Sequence, residues 1–268
     1  MNIYSNGEIK EKNLLGDIFE PGFLFGWGLF EALRAYQGKI PFLSQHLNRL
    51  NQGISLLSLE AVNVNWEEEI HKLLKLNNLS DAYIRITVYK KRKGTGVLIY
   101  TDKFGYYLEE DYQKGFSALI SSVKRQGDDI CSQVKSLSYL SNRISWLQAQ
   151  KQKKDEALIF NNQGFLVGGS RSNLFLINEN RVTTPKLSSG AFCGITRQEV
   201  INIIQGLNIS VAEEDIKKDD LFSHSEAFLT SSLMEVMPLV EVEGKSIGNG
   251  YPGELTLKIL SEYRKLLI

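Results

Sequence analysis

Apolar residues recur along the chain in two periods, and the switches between them mark the elements. Ala82, Ile84, Ile86 and Val88 alternate with Tyr83, Arg85, Thr87 and Tyr89, the period of a strand with one buried face. Residues 82–89 are therefore predicted as a strand carrying Arg85 on its polar face, with a second strand near 97–100. Upstream, Leu47, Leu50, Ile54 and Leu57 fall at helical spacing after Ser44, a residue suited to cap a helix start. His46, Arg49 and Gly53 lie off that stripe. Asn65 precedes Trp66-Glu67-Glu68-Glu69, an acidic first turn that complements a helix dipole. Ile70, Leu73 and Leu74 supply the apolar side of this second helix. Gln37-Gly38, between apolar runs, reads as the turn of a hairpin over 36–42.

The rest of the chain reads as short strands punctuated by turns: 116–123, 155–160, 165–168, 173–177, 181–184, 210–213, 226–230 and 238–242. Three helices interrupt them. Leu137, Leu140, Ile144 and Leu147 mark the first, Val200, Ile201 and Ile204 up to Gly206 the second, and Leu255, Ile259, Tyr263 and Leu266 the third. Residues 107–114 are acidic and lose periodicity, which places a linker at 107–115. The expectation is an α+β fold of two domains, a small α/β domain over 1–106 and a larger strand-rich domain over 116–268.

Composition narrows the function. Thirty-one basic side chains against thirty-one acidic ones leave no net charge, so the positive field that recruits nucleic acid or an anionic membrane is missing. Hydrophobic residues at 43% and charged residues at 23% are ordinary globular values. Cys131, Cys193, His46, His71 and His224 are too few and too scattered for a disulfide framework or a metal site. No stretch approaches the roughly 20 apolar residues of a membrane span, and the first ten residues lack the apolar core of a signal peptide. The expected location is the cytoplasm.

Four segments carry candidate chemistry. In Gly26-Trp27-Gly28-Leu29-Phe30-Glu31, two glycines allow close backbone approach. Lys135 precedes a predicted helix in apolar surroundings, where desolvation would favour the neutral, nucleophilic amine of Schiff-base chemistry. Gly168-Gly169-Ser170-Arg171-Ser172-Asn173 is a strand end whose small polar residues can line a ligand or simply turn the chain. Gly194-Ile195-Thr196-Arg197 opens a helix, and the N–H groups there can bind an anion, although Thr196 is equally an ordinary cap. Ser231 and Ser232, at the end of the 226–230 strand, offer hydroxyls to the same anion.

The ordered pieces Phe30-Glu31, His46-Leu47-Asn48-Arg49-Leu50, Lys135-Ser136-Leu137 through Asn142, Asp155-Glu156-Ala157-Leu158, Gly169 to Asn173, Thr184-Pro185, Gly194 to Arg197 and Leu233-Met234 before Pro238 resemble the class IV aminotransferases. The resemblance runs from Gly26 to about Pro238. It implies the two-domain fold of D-amino-acid aminotransferases, pyridoxal 5'-phosphate as cofactor, a small amino-acid-like substrate and a homodimer. It further implies that Lys135 holds the cofactor covalently and then moves protons, and that Arg49 pairs with the cofactor phosphate. Ile195 and Thr196 would give that phosphate backbone N–H groups, and Ser231 or Ser232 a hydroxyl. Phe30 would meet substrate, Arg85 or one of Lys90, Lys91 and Arg92 would bind its carboxylate, and Tyr139 would lie near the cofactor ring.

One position departs from the family. Where its members carry a glutamate that keeps the cofactor's pyridine nitrogen protonated, this chain has Gly168, and 165–177 contains no acidic residue. Restoring glutamate there is expected to raise turnover if the rest of the site is intact; Arg171 either reaches the nitrogen, where a cation keeps it unprotonated, or faces solvent. Three functions follow: an aminotransferase, an aminodeoxychorismate lyase releasing pyruvate and 4-aminobenzoate, and a cofactor-binding protein without catalysis. Aromatisation in the lyase reaction lessens the dependence on charge held in the cofactor ring.

Overall fold

A computed structural model describes residues 2–11, 20–127 and 133–267; Cys131 lies outside them. The described residues form two compact units. One comprises the described residues up to Tyr106 together with Val134–Tyr139 and Leu267; the other comprises residues 107–127, Gln133 and Leu140–Leu266.

The first unit contains β1 (Asn2–Ser5), β2 (Glu8–Glu11), α1 (Pro21–Phe25), β3 (Gly28–Ala35), α2 (Leu43–Leu56), α3 (Trp66–Leu76), β4 (Ala82–Lys90) and β5 (Thr95–Lys103). Its five strands form an antiparallel sheet in the order β2-β1-β5-β4-β3. The β1–β2 hairpin went unpredicted, yet its turn, Asn6-Gly7, has φ of 52° and 93°, the left-handed pair that matches strand twist. The alternation in β4 holds, since Ala82, Ile84, Ile86 and Val88 are fully buried. They join Leu29 and Leu33 of β3, Leu50 of α2 and Ile70 and Leu73 of α3 in one apolar core. Each such Leu or Ile contributes on the order of 2 kcal/mol by leaving water.

Two local readings change. The Gln37-Gly38 turn is present, with Tyr36 bridged to Lys39, but it leads from β3 into α2 and no second strand follows. Helix α2 begins at Leu43 after Phe42 in a left-handed conformation, φ 59°, so Ser44 lies within the first turn and not at the cap. The buried face of α2 is His46, Leu50, Gly53 and Ile54, rotated from the predicted stripe. Gly53 lets the helix approach β3 closely, because a Cβ there would sit 2.5 Å from Leu29 Cδ1, and Glu31 draws His46 inward.

The second unit contains α4 (Glu109–Lys114), β6 (Phe116–Arg125), α5 (Leu140–Lys151), β7 (Glu156–Asn161), β8 (Leu166–Gly169), β9 (Asn173–Asn178), β10 (Arg181–Pro185), α6 (Ile195–Gly206), β11 (Ser210–Glu214), β12 (Glu226–Ser231), β13 (Glu235–Val242), β14 (Lys245–Ser246) and α7 (Glu254–Arg264). Eight strands run β11-β10-β9-β12-β13-β6-β7-β8, with β14 paired to β13. Phe175 of β9 and Phe228 of β12 stack at 4.8 Å in the middle of this sheet. The stretch expected as a linker carries α4, whose Tyr112 is buried beneath the Arg264 guanidinium.

The helix expected over 137–147 starts only at Leu140, and its apolar stripe does not face the core. Leu140, Ile144 and Leu147 are exposed. The small side chains of Ser145 and Ala149 face inward instead, with Ser145 Oγ bonded to Ser121 Oγ of β6 at 2.9 Å. Small residues on this face let α5 lie close on β6 and β7. No described helix is long and apolar enough to cross a membrane.

Candidate active site

Lys135 owes its place to a strand-like segment along the free edge of β3. The Phe30 N–H donates to Lys135 O at 2.8 Å and the Leu137 N–H to Gly28 O at 2.9 Å. Gly26 and Gly28 make that approach feasible. A Cβ on Gly26 would lie 2.7 Å from Ser138 Oγ, and one on Gly28 would lie 2.7 Å from Leu137 Cδ1. The close backbone approach suggested by the glycines is thus to the segment that bears the lysine.

The side chains converge on Phe30. Lys135 Nζ lies 4.4 Å from the centre of its ring and the Arg85 guanidinium carbon 3.8 Å from it, while Tyr139 meets it edge-on at 5.3 Å. Alternation places Phe30 on the sheet face shared by Arg85, and the electron-rich ring face attracts both cations. On the other side of β3, Glu31 continues the inward series Leu29, Leu33 although it is an acid. Its carboxylate accepts Arg49 Nε at 2.8 Å and Arg49 Nη2 at 2.6 Å, and it meets His46 Nδ1 at 2.7 Å. Because the carboxylate only accepts, His46 carries its proton on Nδ1.

These contacts set the charges. Burial pushes the Glu31 carboxyl up, but the bonds from His46 and Arg49 outweigh it and hold the group down at about 2. Burial keeps His46 below its usual value, opposed by Glu31. Burial also lowers the Lys135 amine to about 8, with Glu31 raising it and Arg49 and Arg85 lowering it. An amine so placed is neutral to a useful extent near pH 8 and attacks aldehydes, which fits the lysine expected to hold pyridoxal phosphate.

Lys135, Arg49, Phe30 and Arg85 therefore belong to the first unit, and Ile195, Thr196, Ser231 and Ser232 to the second. Gly194 is the N-cap of α6, which makes Ile195 and Thr196 the first two helical residues; their N–H groups have no intrahelical acceptor. The Thr196 hydroxyl is not the cap. It meets the buried Tyr263 hydroxyl at 3.1 Å, leaving the backbone as the part that fits an anion. Asn173 fixes the approach to this helix, donating to Phe192 O at 2.7 Å, and a Cβ on Gly194 would collide with its Oδ1. Ser231 ends β12, against which α6 packs, and its Oγ accepts the Met234 N–H at 3.2 Å. Ser232 follows in the same turn.

The segment after β8 has an acid that a search of its own residues could not find. Glu156, fully buried on neighbouring β7, accepts Ser172 Oγ at 2.9 Å, Ser170 N–H at 3.2 Å and Ser170 Oγ. Both oxygens are engaged by the loop. Gly168 has φ of 134°, and a Cβ there would stand 2.8 Å from Ser172 O, so the position resists any side chain. Arg171 donates to Asp155 O at 3.1 Å and lies over the Trp146 ring. Sequence reading passed over Glu31 and His46 as functional groups; the signal was an acid set in the apolar alternation of β3.

Comparison with known proteins supplies the family. The class IV amino-transferase family model matches residues 28–242. A putative branched-chain-amino-acid aminotransferase of Methanocaldococcus jannaschii is 33% identical over 99% of this chain and 96% of its own length. The aminodeoxychorismate lyase of Bacillus subtilis is 28% identical over 98% of this chain and 94% of its own. Among solved structures, a T.th. branched-chain amino acid aminotransferase with pyridoxamine 5'-phosphate superposes with a TM-score of 0.90 at 24% identity, covering 98% of this chain and 93% of that one. Class IV aminotransferases use pyridoxal phosphate, the cofactor expected from the sequence. With the family model spanning most of both units, the chain belongs to the class IV aminotransferases.

Proposed function

We propose that the protein is a pyridoxal-phosphate-dependent aminotransferase for small amino-acid-like substrates. One observation carries this reading: the Lys135 amine and the Arg85 guanidinium share the Phe30 ring at 4.4 Å and 3.8 Å. A group that exchanges for a substrate amine and a cation suited to a substrate carboxylate stand at one aromatic side chain. When bound, pyridoxal phosphate supplies an aldehyde for the amine and a ring that accepts electron pairs. The chain's part is then to hold and to move protons. Lys135 Nζ would hold the cofactor and, as a free amine, would be the base for the substrate's α-proton. In the first unit Arg49 would be the charged partner for phosphate, and in the second the first N–H groups of α6 and a hydroxyl of Ser231 or Ser232 are suited to the same kind of anion. Phe30 and Arg85 orient the substrate.

Aminodeoxychorismate lyase is the second reading, and Gly168 favours it. Without a carboxylate to enforce protonation of the pyridine nitrogen, a reaction that aromatises its own product suffers less than one that must store charge in the ring. A homodimer is part of the proposal. It is supported by apolar side chains that the single chain leaves exposed, Phe23, Leu24, Phe25 and Trp27 in the first unit and Leu140, Ile144 and Leu147 in the second.

The two activities are separated by giving the cofactor-loaded protein branched-chain and small L- and D-amino acids with a keto acid acceptor, and separately aminodeoxychorismate. Keto acid formed from an amino acid supports the aminotransferase. Release of 4-aminobenzoate with pyruvate supports the lyase, and no product from either substrate contradicts both.

A further inference from the structure

An ionised acid inside an apolar core is costly unless it is paired and does something that a leucine would not. Glu31 occupies a core position of β3, only 1% exposed, where its neighbours in the inward series are Leu29 and Leu33. Its partners are all on one side. From α2 come His46 and Arg49, the latter in a two-pronged contact through Nε and Nη2. On the opposite face of β3, Lys135 of the 134–139 segment and Arg85 of β4 meet the ring of the adjacent residue, Phe30, whose N–H is bonded to Lys135 O at 2.8 Å, and the Glu31 charge raises the Lys135 amine against the lowering by Arg49 and Arg85. One carboxylate thus holds Arg49 directly and sits one residue along β3 from the ring that Lys135 and Arg85 share.

We propose that Glu31 is a positioning residue for the cofactor-holding groups: clamped between His46 and Arg49, its carboxylate fixes the Arg49 guanidinium and provides the buried counter-charge for the Lys135 amine. The inference rests on the reading of Lys135 as the cofactor lysine. Fixing Arg49 along its Nε edge orients a planar cation for a phosphate oxygen before any cofactor arrives, which removes the entropy cost of ordering it on binding. Supplying the counter-charge keeps Lys135 from being acidified by two arginines with nothing to oppose them. His46 stays neutral and holds the other side of the carboxylate. A purely structural ion pair would pin α2 to β3 and affect neither property.

The test uses the full chain stripped of cofactor and titrated with pyridoxal phosphate and with pyridoxal, which has the aldehyde but no phosphate. Two quantities are read: the ratio of the two affinities, and the pH midpoint of adduct formation at Lys135 with pyridoxal. In Glu31→Gln the affinity ratio is expected to fall about tenfold or more, as a charge-assisted contact to phosphate loses its geometry. The midpoint is expected to lie about one unit lower than in the wild type as the counter-charge is lost. Glu31→Asp keeps the charge but not the reach, so it should lower the ratio while leaving the midpoint near its wild-type value. That split is one that a fold-stabilising role does not produce. An unchanged ratio and midpoint in Glu31→Gln overturn the proposal. If that variant does not fold, an unchanged ratio in Glu31→Asp does so. Wild-type protein that forms no adduct at Lys135 with either aldehyde contradicts the reading of Lys135 itself, whereas a wild-type adduct with unaltered variants contradicts only the role of Glu31.

Discussion

Glu31 shows how much chemistry one residue can hold and how little of it the letters display. The alternation of β3 was open to inspection, since Leu29, Leu33 and Ala35 share a face, and an acid between them is an anomaly. Its partners were not. His46 and Arg49 are separated from Glu31 by 15 and 18 residues, and only the rotation of α2 shows that His46 turns inward. The pairing has a pH signature. The folded-state carboxyl lies at about 2 against an ordinary 4.5, so its contribution is fully present above pH 4.5 and is lost as pH falls through 2. The contribution is on the order of 3 kcal/mol. Urea unfolding of wild type and Glu31→Gln should therefore differ most near pH 6 and converge as pH falls toward 2; a constant gap would contradict the assigned pairing.

Arg49 and Gly168 are read at the same scale. Replacing Arg49 with alanine is expected to weaken pyridoxal phosphate binding by about 2 kcal/mol, the value of a charge-assisted contact to phosphate. Unchanged cofactor affinity would remove Arg49 from the phosphate site. At Gly168 the gain in turnover expected from a glutamate meets a cost, since φ of 134° and the nearby Ser172 O make any side chain strained. Gly168→Glu is thus expected to lose about 1–3 kcal/mol of stability. A variant as stable as wild type with faster turnover would show that the loop adapts.

At the scale of elements, periodicity served where one face of a strand or helix meets one core. Residues 82–89 and the helix opening at Trp66 are examples. It failed where the close-packed face is built from small residues. In α5 the serine and alanine face packs on the sheet, and the leucine stripe, the stronger hydrophobic signal, points outward. In α2 a glycine sets the contact, and Leu47 and Leu57 are left half-buried. Gly53→Ala would place its Cβ 2.5 Å from Leu29 Cδ1, and overpacking of this kind costs about 1–3 kcal/mol. A melting temperature at or above that of the wild type would show that Leu29 can yield. The helical preference of alanine alone would have predicted a gain.

For the molecule as a whole, the first unit runs to Tyr106 and takes back Val134–Tyr139, a return that no sequence signal marks. That return pairs the lysine segment with a strand some hundred positions earlier, a register no local pattern encodes. The uncovered apolar side chains on both units are expected to be buried in a homodimer, so sedimentation at micromolar concentration should show a species about twice 30.3 kDa. A single 30.3 kDa species would contradict the dimer. The central claim is that the amine of Lys135 carries the cofactor. Borohydride reduction of the pyridoxal-phosphate-loaded protein, followed by peptide mass mapping, tests it directly. The account predicts one phosphopyridoxyl group, attached to Lys135 and missing from Lys135→Ala; a label on another lysine, or equal labelling of that variant, would contradict it.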